Sequence, residues 1–400
     1  MDLTSDHPFW LVKNGLLKTY PPLDQDYSCD VAVVGAGITG AILAERLTRI
    51  GLAVIVVDGR DVCLGSTSAT TALLQYEIDV PLVEMAEKIG WESARRAYRL
   101  SYDAIDTLEA LAGSLGLDCG LERKTSIYLA EDKKKADLLA QESEARRECG
   151  IEVRLLGADE LREEFHLPGT AALVSQQAAS CDAYQFAHGL LAAASEGGAK
   201  VFDRTKIERF ECGNDHVRLH TDREATITAR QVVVATGYEA QSMLREQVAD
   251  LKSTYALVSQ PLASIEPWDA RWIMWEAKSP YLYLRATSDN RLLVGGEDDP
   301  FRDPKRRDRR LPKKTNRIRD KVRALLPDLD WEVEFAWAGT FGETKDGLAY
   351  IGPTREYPHC YFALGFGGNG ITFSAIAAGL LADVLTGKPN GDTALFRFGR

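Results

Sequence analysis

Along the first sixty residues the apolar and polar positions follow two periods in turn. An unbroken apolar run, Val31–Val34, meets the glycine-rich "GAGITG". Residues 38–50 then repeat apolar positions every three or four residues, and a second unbroken run, Val54–Val57, ends on Asp58. Short continuous runs read as strands buried on both faces, and the stretch between them as a helix. A strand, glycine loop, helix and strand therefore follow an N-terminal arm that carries Phe9 and Trp10. Helical spacing returns in residues 80–116 and 131–150, which together predict a long helical insertion. Strand patterns resume in residues 199–222 and in "ATITARQVVVATG", where Thr236 and Gly237 stand at a strand's C-terminal end. "TYALVSQPL", "YLYLRAT" and "RLLVGGE", the last two joined across Ser288-Asp289-Asn290, predict an antiparallel sheet outside the first unit. The C-terminal "CYFALGFGGNGITFSAIAAGLL" again reads strand, glycine loop and apolar helix. The pattern is that of an α/β protein.

Composition narrows the partners. With 400 residues the chain can bury a large core, and its net charge of -11 argues against a general binder of nucleic acid or anionic membranes. The basic stretch 303–327 lacks interleaved aromatics for base stacking and reads as a solvated loop and helix face. The seven cysteines are scattered without a CxxC pair, and the six histidines form no HExxH or other ligand cluster, so no metal is expected. Scattered cysteines, no signal-peptide pattern and no spanning apolar run point to a cytoplasmic protein acting on a small molecule.

Gly35, Gly37 and Gly40 match G-x-G-x-x-G, with Ala36, Ile38 and Thr39 between them. The first glycine allows the tight turn, the second lets a pyrophosphate approach the backbone, and the third lets helix and strand pack closely. Asp58, followed by Gly59 and Arg60, stands where a carboxylate accepts hydrogen bonds from an adenosine ribose. A dinucleotide site is the reading. Gly365, Gly367 and Gly370 repeat the pattern, but no strand and acid follow, which disfavours a second dinucleotide. The hydroxyl-rich segment after Asp58, "GRDVCLGSTSATTALLQYE", can lie along a pyrophosphate and pass a flat ring, or be an ordinary Ser/Thr turn.

Four blocks, "VAVVGAGITGAILAERL" with Asp58, "GSTSATTALL", "VVVATGYEA" and "DGLAYIG…YFALGFGGNGITFS", resemble the glycine/D-amino acid oxidase-type FAD-dependent oxidoreductases. The resemblance implies FAD rather than NAD. Relatives with covalent flavin use a C-terminal cysteine, but Cys360 precedes a core-like strand, so noncovalent FAD is expected. It implies pyrophosphate and flavin contacts from Ser66, Thr67, Thr70, Thr71 and Ala72, an adenine contact near Ile207, and an adenosine contact from Thr236 and Gly237. Gly367, Gly368, Asn369, Gly370, Ile371 and Thr372, with Gly339 more loosely, would approach the flavin ring. The implied architecture is a Rossmann-like FAD-binding domain with an interleaved antiparallel-sheet substrate domain. Its parts are residues 1–85 with the arm, a helical insertion 86–145, a second FAD-binding part with sheet segments 146–240, the substrate sheet 241–335 and a C-terminal FAD-binding part 336–400.

In "YLYLRAT", Tyr281, Tyr283 and Arg285 share one face. Arg285 could clamp a substrate carboxylate while the tyrosines wall off water, or could be an ordinary arginine on a solvent-facing strand. Tyr255 is a weaker candidate for the same face. The resemblance implies oxidation of the C–N bond of a small amino acid or secondary amine, with oxygen or another carrier taking the electrons. "RLLVGGED" lacks the lysine that assists oxygen in several relatives, and Lys345 reads as a surface residue. A flavin dehydrogenase of a hydroxy acid and a scaffold with vestigial redox activity stay open.

Overall fold

The computed structural model describes residues 1–5 and 7–400. The chain builds two sheets by passing back and forth between them. After α1 (Phe9–Asn14), β1 (Tyr27–Val34), α2 (Ile38–Arg49) and β2 (Val54–Val57) begin the first sheet. A short turn, α3 (Ser66–Ala69), leads into β3 (Leu73–Gln75) of the second sheet. Next come α4 (Leu82–Ile89), α5 (Trp91–Ser114), β4 (Glu122–Ala130), α6 (Lys133–Glu148), β5 (Arg154–Gly157), α7 (Ala158–Phe165) and β6 (Ala171–Ser180). Helix α8 (Ala183–Glu196) returns the chain to the first sheet for β7 (Lys200–Phe202), β8 (Ile207–Cys212), β9 (Val217–Thr221) and β10 (Thr226–Val234). The second sheet is then completed by β11 (Asp250–Ser259), β12 (Trp272–Glu276), β13 (Leu282–Ala286), β14 (Leu292–Asp299) and, after α9 (Pro304–Leu325), β15 (Val333–Glu343). Finally β16 (Tyr350–Pro353) and β17 (Cys360–Leu364) rejoin the first sheet, and α10 (Gly370–Leu385) packs against α2.

The first sheet runs β16-β17-β10-β1-β2-β7, with β17, β10, β1, β2 and β7 parallel, and β8–β9 paired onto β10. Its strands read as continuous apolar runs because both faces are covered. Val31, Val33, Val54 and Val56 pack into the core shared with α2 and α10, while Ala32, Val34, Ile55 and Val57 pack into a second core with Leu219, Ile227 and Phe362. The second sheet, β15-β11-β14-β13-β12-β4-β6-β3, is antiparallel except where β12 meets β4.

Two features depart from the sequence reading. The span 86–145 is not wholly helical: β4 lies inside it and sits between β12 and β6. Strands β5 and β6, expected in the nucleotide-binding part, belong to the second sheet. The alternation in "ERKTSIYLA" is short and half polar, and only pairing with β6 and β12 makes its inner residues core. The arm packs on its own chain: Ser5 N–H donates to Ala338 O and Thr340 N–H to Leu3 O, adding a strand-like edge to β15.

Candidate functional site

A cavity of about 600 Å³ runs from the loop after β1 to the inner face of the second sheet. At its first end, the carboxyl ends of β1, β2 and β10 converge, the place where open α/β sheets bind ligands. Gly35 turns there with φ +109°, and a Cβ would lie 2.5 Å from Ala235 O. Gly40 faces back onto the same turn, where a Cβ would come within 1.8 Å of Gly35 O. Only glycine lets α2 start this close to β1. Gly37 caps α2 without a side-chain hydrogen bond, and Thr67 Oγ1 accepts Ile38 N–H at 2.9 Å.

Asp58 holds the loop's other side. Its Oδ2 accepts Ala36 N–H at 2.7 Å and Oδ1 accepts Arg60 N–H at 2.9 Å. Burial pushes its pKa up from the usual carboxylate range, against the pull of those two amides. Each oxygen keeps an acceptor site for a ribose hydroxyl. Arg60 is paired to Glu239 at 2.6 Å, and Gly59, Ile207, Thr236 and Gly237 line the same end.

The segment 69–71 is fixed by three side-chain donors on successive carbonyls. Trp337 Nε1 reaches Ala69 O at 2.8 Å, Trp10 Nε1 reaches Thr70 O at 2.6 Å, and Arg285 Nε reaches Thr71 O at 2.8 Å. Arg285 also donates to Cys181 O at 2.8 Å and Ala286 O at 3.1 Å, and its guanidinium lies 5.4 Å from the Trp10 ring centroid. Burial lowers its pKa to about 10, so it stays charged at neutral pH. This corrects the carboxylate-clamp reading: Arg285 does share a face with Tyr283, but the chain at 69–71 and 181 covers it and three carbonyls occupy its donors. Tyr255 is likewise corrected. It is fully buried on the other side of β11, with its hydroxyl on Asp299 Oδ2 at 2.9 Å, whereas its neighbours Thr254 and Ala256 line the cavity.

Of the other expected residues, Ser66, Thr67, Thr70, Thr71, Ala72, Gly339, Gly367, Gly368, Asn369, Gly370 and Ile371 line the cavity, as do Gly35, Gly37, Ile38 and Thr39. Ala36, Gly40 and Thr372 do not line it. They shape it from behind: Thr372 Oγ1, almost fully buried, donates to Gln75 O at 3.1 Å and ties α10 to β3. Thr39 and Ser374, hydroxyl to hydroxyl at 2.7 Å, tie α2 to α10.

Tyr281, Tyr283, Tyr238, Trp275, Phe341 and Asp79 complete the far end. Gly295 and Gly296 make room for the tyrosines, since a Cβ on Gly295 would strike the Tyr283 ring at 2.3 Å and one on Gly296 would strike Tyr281 O at 2.1 Å. Burial raises the pKa of Tyr281, Tyr283 and Tyr238, so all three stay protonated at neutral pH. Asp79 Oδ2 accepts Gly368 N–H at 2.7 Å. Sequence reasoning missed Asp79, Tyr238, Trp275, Trp10 and Trp337. Only the indoles carried a signal, since a buried Trp N–H usually needs an acceptor.

The cavity suits FAD. Helices α2 and α10 both start at its wall with no bond from their N-cap side chains; apart from Ile38 N–H, which Thr67 takes, this leaves first-turn amides for phosphate and for a ring's polar edge. Gln75 Nε2 and Asn369 Oδ1, both of lining residues, are buried without partners. Among the described residues no group of three or more His, Cys, Asp or Glu is placed to hold a metal ion, and no helix is long and apolar enough to cross a membrane.

Comparison with known proteins agrees. The family model DAO, FAD dependent oxidoreductase, matches residues 30–384. The probable oxidoreductase OrdL of Haemophilus influenzae is 22% identical, covering 92% of this chain and 85% of its own. Gamma-glutamylputrescine oxidoreductase of Escherichia coli is 24% identical over 92% of this chain and 86% of its own. Glycine oxidase of Geobacillus kaustophilus is 27% identical over 90% of this chain and 93% of its own, and its crystal structure superposes with a TM-score of 0.78, covering 94% and 99% of the two chains at 24% identity. With the family model spanning most of its length, the chain belongs to the DAO family of FAD-dependent oxidoreductases.

Proposed function

We propose that this enzyme oxidises the C–N bond of a small amine or amino acid. The observation that carries the reading is one continuous cavity that joins the glycine loop and Asp58 to an aromatic wall on a second sheet. FAD, when bound, would supply the two-electron acceptor for this oxidation; the substrate carbon would give up a hydride and the nitrogen a proton, and water would hydrolyse the resulting C=N bond to a carbonyl and a free amine. Gly35, Gly37, Thr67 and the first turn of α2 would hold its pyrophosphate, Asp58 its ribose, and residues 367–371 its ring edge. The chain's own task is positioning. Thr71 and Ala72, pinned by Arg285 and Trp10, set the floor, and Tyr281, Tyr283 and Trp275 exclude water and orient the amine.

Arg285, whose guanidinium is bonded to carbonyls, offers no carboxylate clamp to a hydroxy acid or to an amino acid, so the choice between C–O and C–N oxidation rests with the test. The test is an anaerobic visible-absorbance screen of the FAD-loaded protein against amines, N-methyl amino acids, D- and L-amino acids and hydroxy acids. Bleaching of the oxidised-flavin band by an amine or amino acid is expected, and readmitted air then separates oxygen from another acceptor. Bleaching by hydroxy acids alone, or by nothing, would reject the reading.

A further inference from the structure

Loss of hydride from a carbon beside nitrogen needs a lone pair on that nitrogen, yet a simple amine, like lysine, holds its proton up to about pH 10. A group in the cavity that takes this proton lets the abundant protonated form react. Tyr281, Tyr283 and Tyr238 are kept protonated by burial and cannot accept one. Of the charged residues in the lining, Asp58, Arg60, Lys206 and Glu239 stand at the glycine-loop end. Asp79 is exposed and its Oδ2 already accepts Gly368 N–H. Glu77 is the carboxylate that is left.

Glu77 follows β3, lines the cavity and is 3% exposed. Its backbone carbonyl accepts Asn369 Nδ2–H at 2.8 Å, which fixes it beside the residues assigned to the ring edge. Its side chain turns to the second sheet. Oε1 accepts the Ser126 hydroxyl at 3.0 Å and lies 3.7 Å from Arg146 Nη1. Oε2 is buried with no partner among the described residues. Arg146 closes instead on Glu142, Nε to Oε2 at 2.8 Å, and on the Tyr76 hydroxyl at 3.1 Å. Its guanidinium also lies 5.9 Å from the Tyr128 ring centroid, and Tyr128 stacks on Trp275 at 3.7 Å. Glu77 therefore stands between the ring-edge segment and the aromatic wall. One cation is shared by two carboxylates, and the oxygen left over belongs to the one that lines the cavity.

We propose that Glu77 is the proton acceptor of the reaction: Oε2 receives the ammonium of the arriving substrate and takes one of its protons. This leaves a neutral carboxyl and a neutral amine. The nitrogen lone pair then forms the C=N bond as the carbon's hydrogen departs with its electron pair to the two-electron acceptor. Water hydrolyses the cationic C=N product, and the proton on Glu77 passes to solvent. The inference rests on the reading of this cavity as a C–N oxidation site. The pKa of Glu77 agrees, because burial outweighs Arg146 and Ser126 and lifts it above the usual carboxylate range. A base is most effective when its pKa approaches the working pH.

The experiment follows anaerobic flavin reduction in the FAD-loaded protein and in Glu77→Gln from pH 6 to pH 10. The substrate is whichever of N-methylglycine, N-methylbutylamine and D- and L-alanine bleaches the flavin fastest. Arg146, Glu142, Tyr76, Tyr98 and Tyr128, which pack around Glu77, are the same in both proteins. Because the acceptor must be ionised, the rate should rise with pH through the Glu77 value, whereas in the variant the rise should move to the amine's own. At pH 7 Glu77→Gln should be slower by about 100-fold or more, the size of a positioned base's contribution, and at pH 10 the gap should close to about fivefold. An unaltered rate at pH 7, or a deficit equally large at pH 10, would overturn the inference while keeping C–N oxidation. A second measurement needs no turnover. It compares tert-butylamine, which has no hydrogen on the carbon beside nitrogen, with uncharged tert-butanol by the perturbation of the flavin spectrum at pH 7. The amine should bind at least tenfold more tightly, and Glu77→Gln should lose most of that preference. A preference that is absent, or unaltered in the variant, would overturn the inference. Bleaching by no amine or amino acid would reject the C–N reading and the role of Glu77 with it.

Discussion

Arg285 donates from Nε, Nη1 and Nη2 to Thr71 O, Ala286 O and Cys181 O, three directions that only a planar guanidinium reaches at once. A lysine at the same place can reach at most part of that set. Arg285→Lys should therefore strand at least one buried carbonyl and destabilise the protein by roughly 2–4 kcal/mol. Because Thr71 and Ala72 line the cavity, the same change should weaken FAD binding about tenfold, read by flavin fluorescence on titrating the apoprotein. An unaltered FAD affinity together with a raised KM for carboxylate substrates would instead restore the clamp role. Period-2 alternation does place Arg285 on the face of Tyr283. What alternation lacks is the partner: two of the three carbonyls that receive Arg285 come from residues 71 and 181, and nothing local in "YLYLRAT" records them. Asp79 was illegible for the same reason, since its partner, Gly368 N–H, meets it only through the fold. Gly35, Gly40 and Asp58 were legible because their partners lie within one strand–loop–helix–strand unit.

Helix α9 shows what the basic stretch does at the scale of an element. Glu297, at the end of β14, receives Lys321 at 2.6 Å and both Lys314 and Arg317 at 3.5 Å, while Asp299 receives Arg310 at 2.7 Å and Lys314 at 3.2 Å. One face of the helix thus pins the sheet, and Ile318 and Val322 pack into the core beneath it. The basic stretch reads as a solvated face, and Lys305, Arg309 and Lys313 are indeed exposed. The paired face was hidden because its acids sit on another element. Burial raises the pKa of Glu297, but Lys321 and Lys314 outweigh it and hold the carboxyl below its usual range. A depressed carboxylate contributes stability above its unfolded pKa, near 4.3, and loses it as pH falls through the folded value. Glu297→Gln should lower the melting temperature at pH 7, by an amount equivalent to roughly 1–3 kcal/mol, and the difference should shrink steadily below about pH 4. A difference independent of pH would mean that shape rather than charge holds α9 in place.

For the whole molecule the decisive fact is that each sheet is assembled from separated segments. The chain leaves the first sheet after β2, returns at β7, leaves again after β10 and returns at β16, so neither sheet can be completed before the other has been threaded. Interleaving of this kind was implied by the family resemblance, but the place of β4 inside the second sheet was not expected, because its polarity pattern acquires meaning only beside β6 and β12. FAD would bridge both sheets, touching the loop after β1 and the wall formed by β11–β15. Large chains often unfold in stages. Here the shared segments and the bridging cofactor oppose that. The seven tryptophans, at positions 10, 91, 268, 272, 275, 331 and 337, all lie outside the first sheet. Tryptophan emission therefore follows the second sheet and its surroundings, while flavin release follows the glycine loop. In urea the two signals and far-UV circular dichroism should move through one common midpoint. Excess FAD at a hundred times its dissociation constant should shift that midpoint by the equivalent of about 2.7 kcal/mol for all three probes together. If emission changed first while flavin stayed bound, the two sheets would be separable folding units, and the shared threading would count for less than the packing within each sheet.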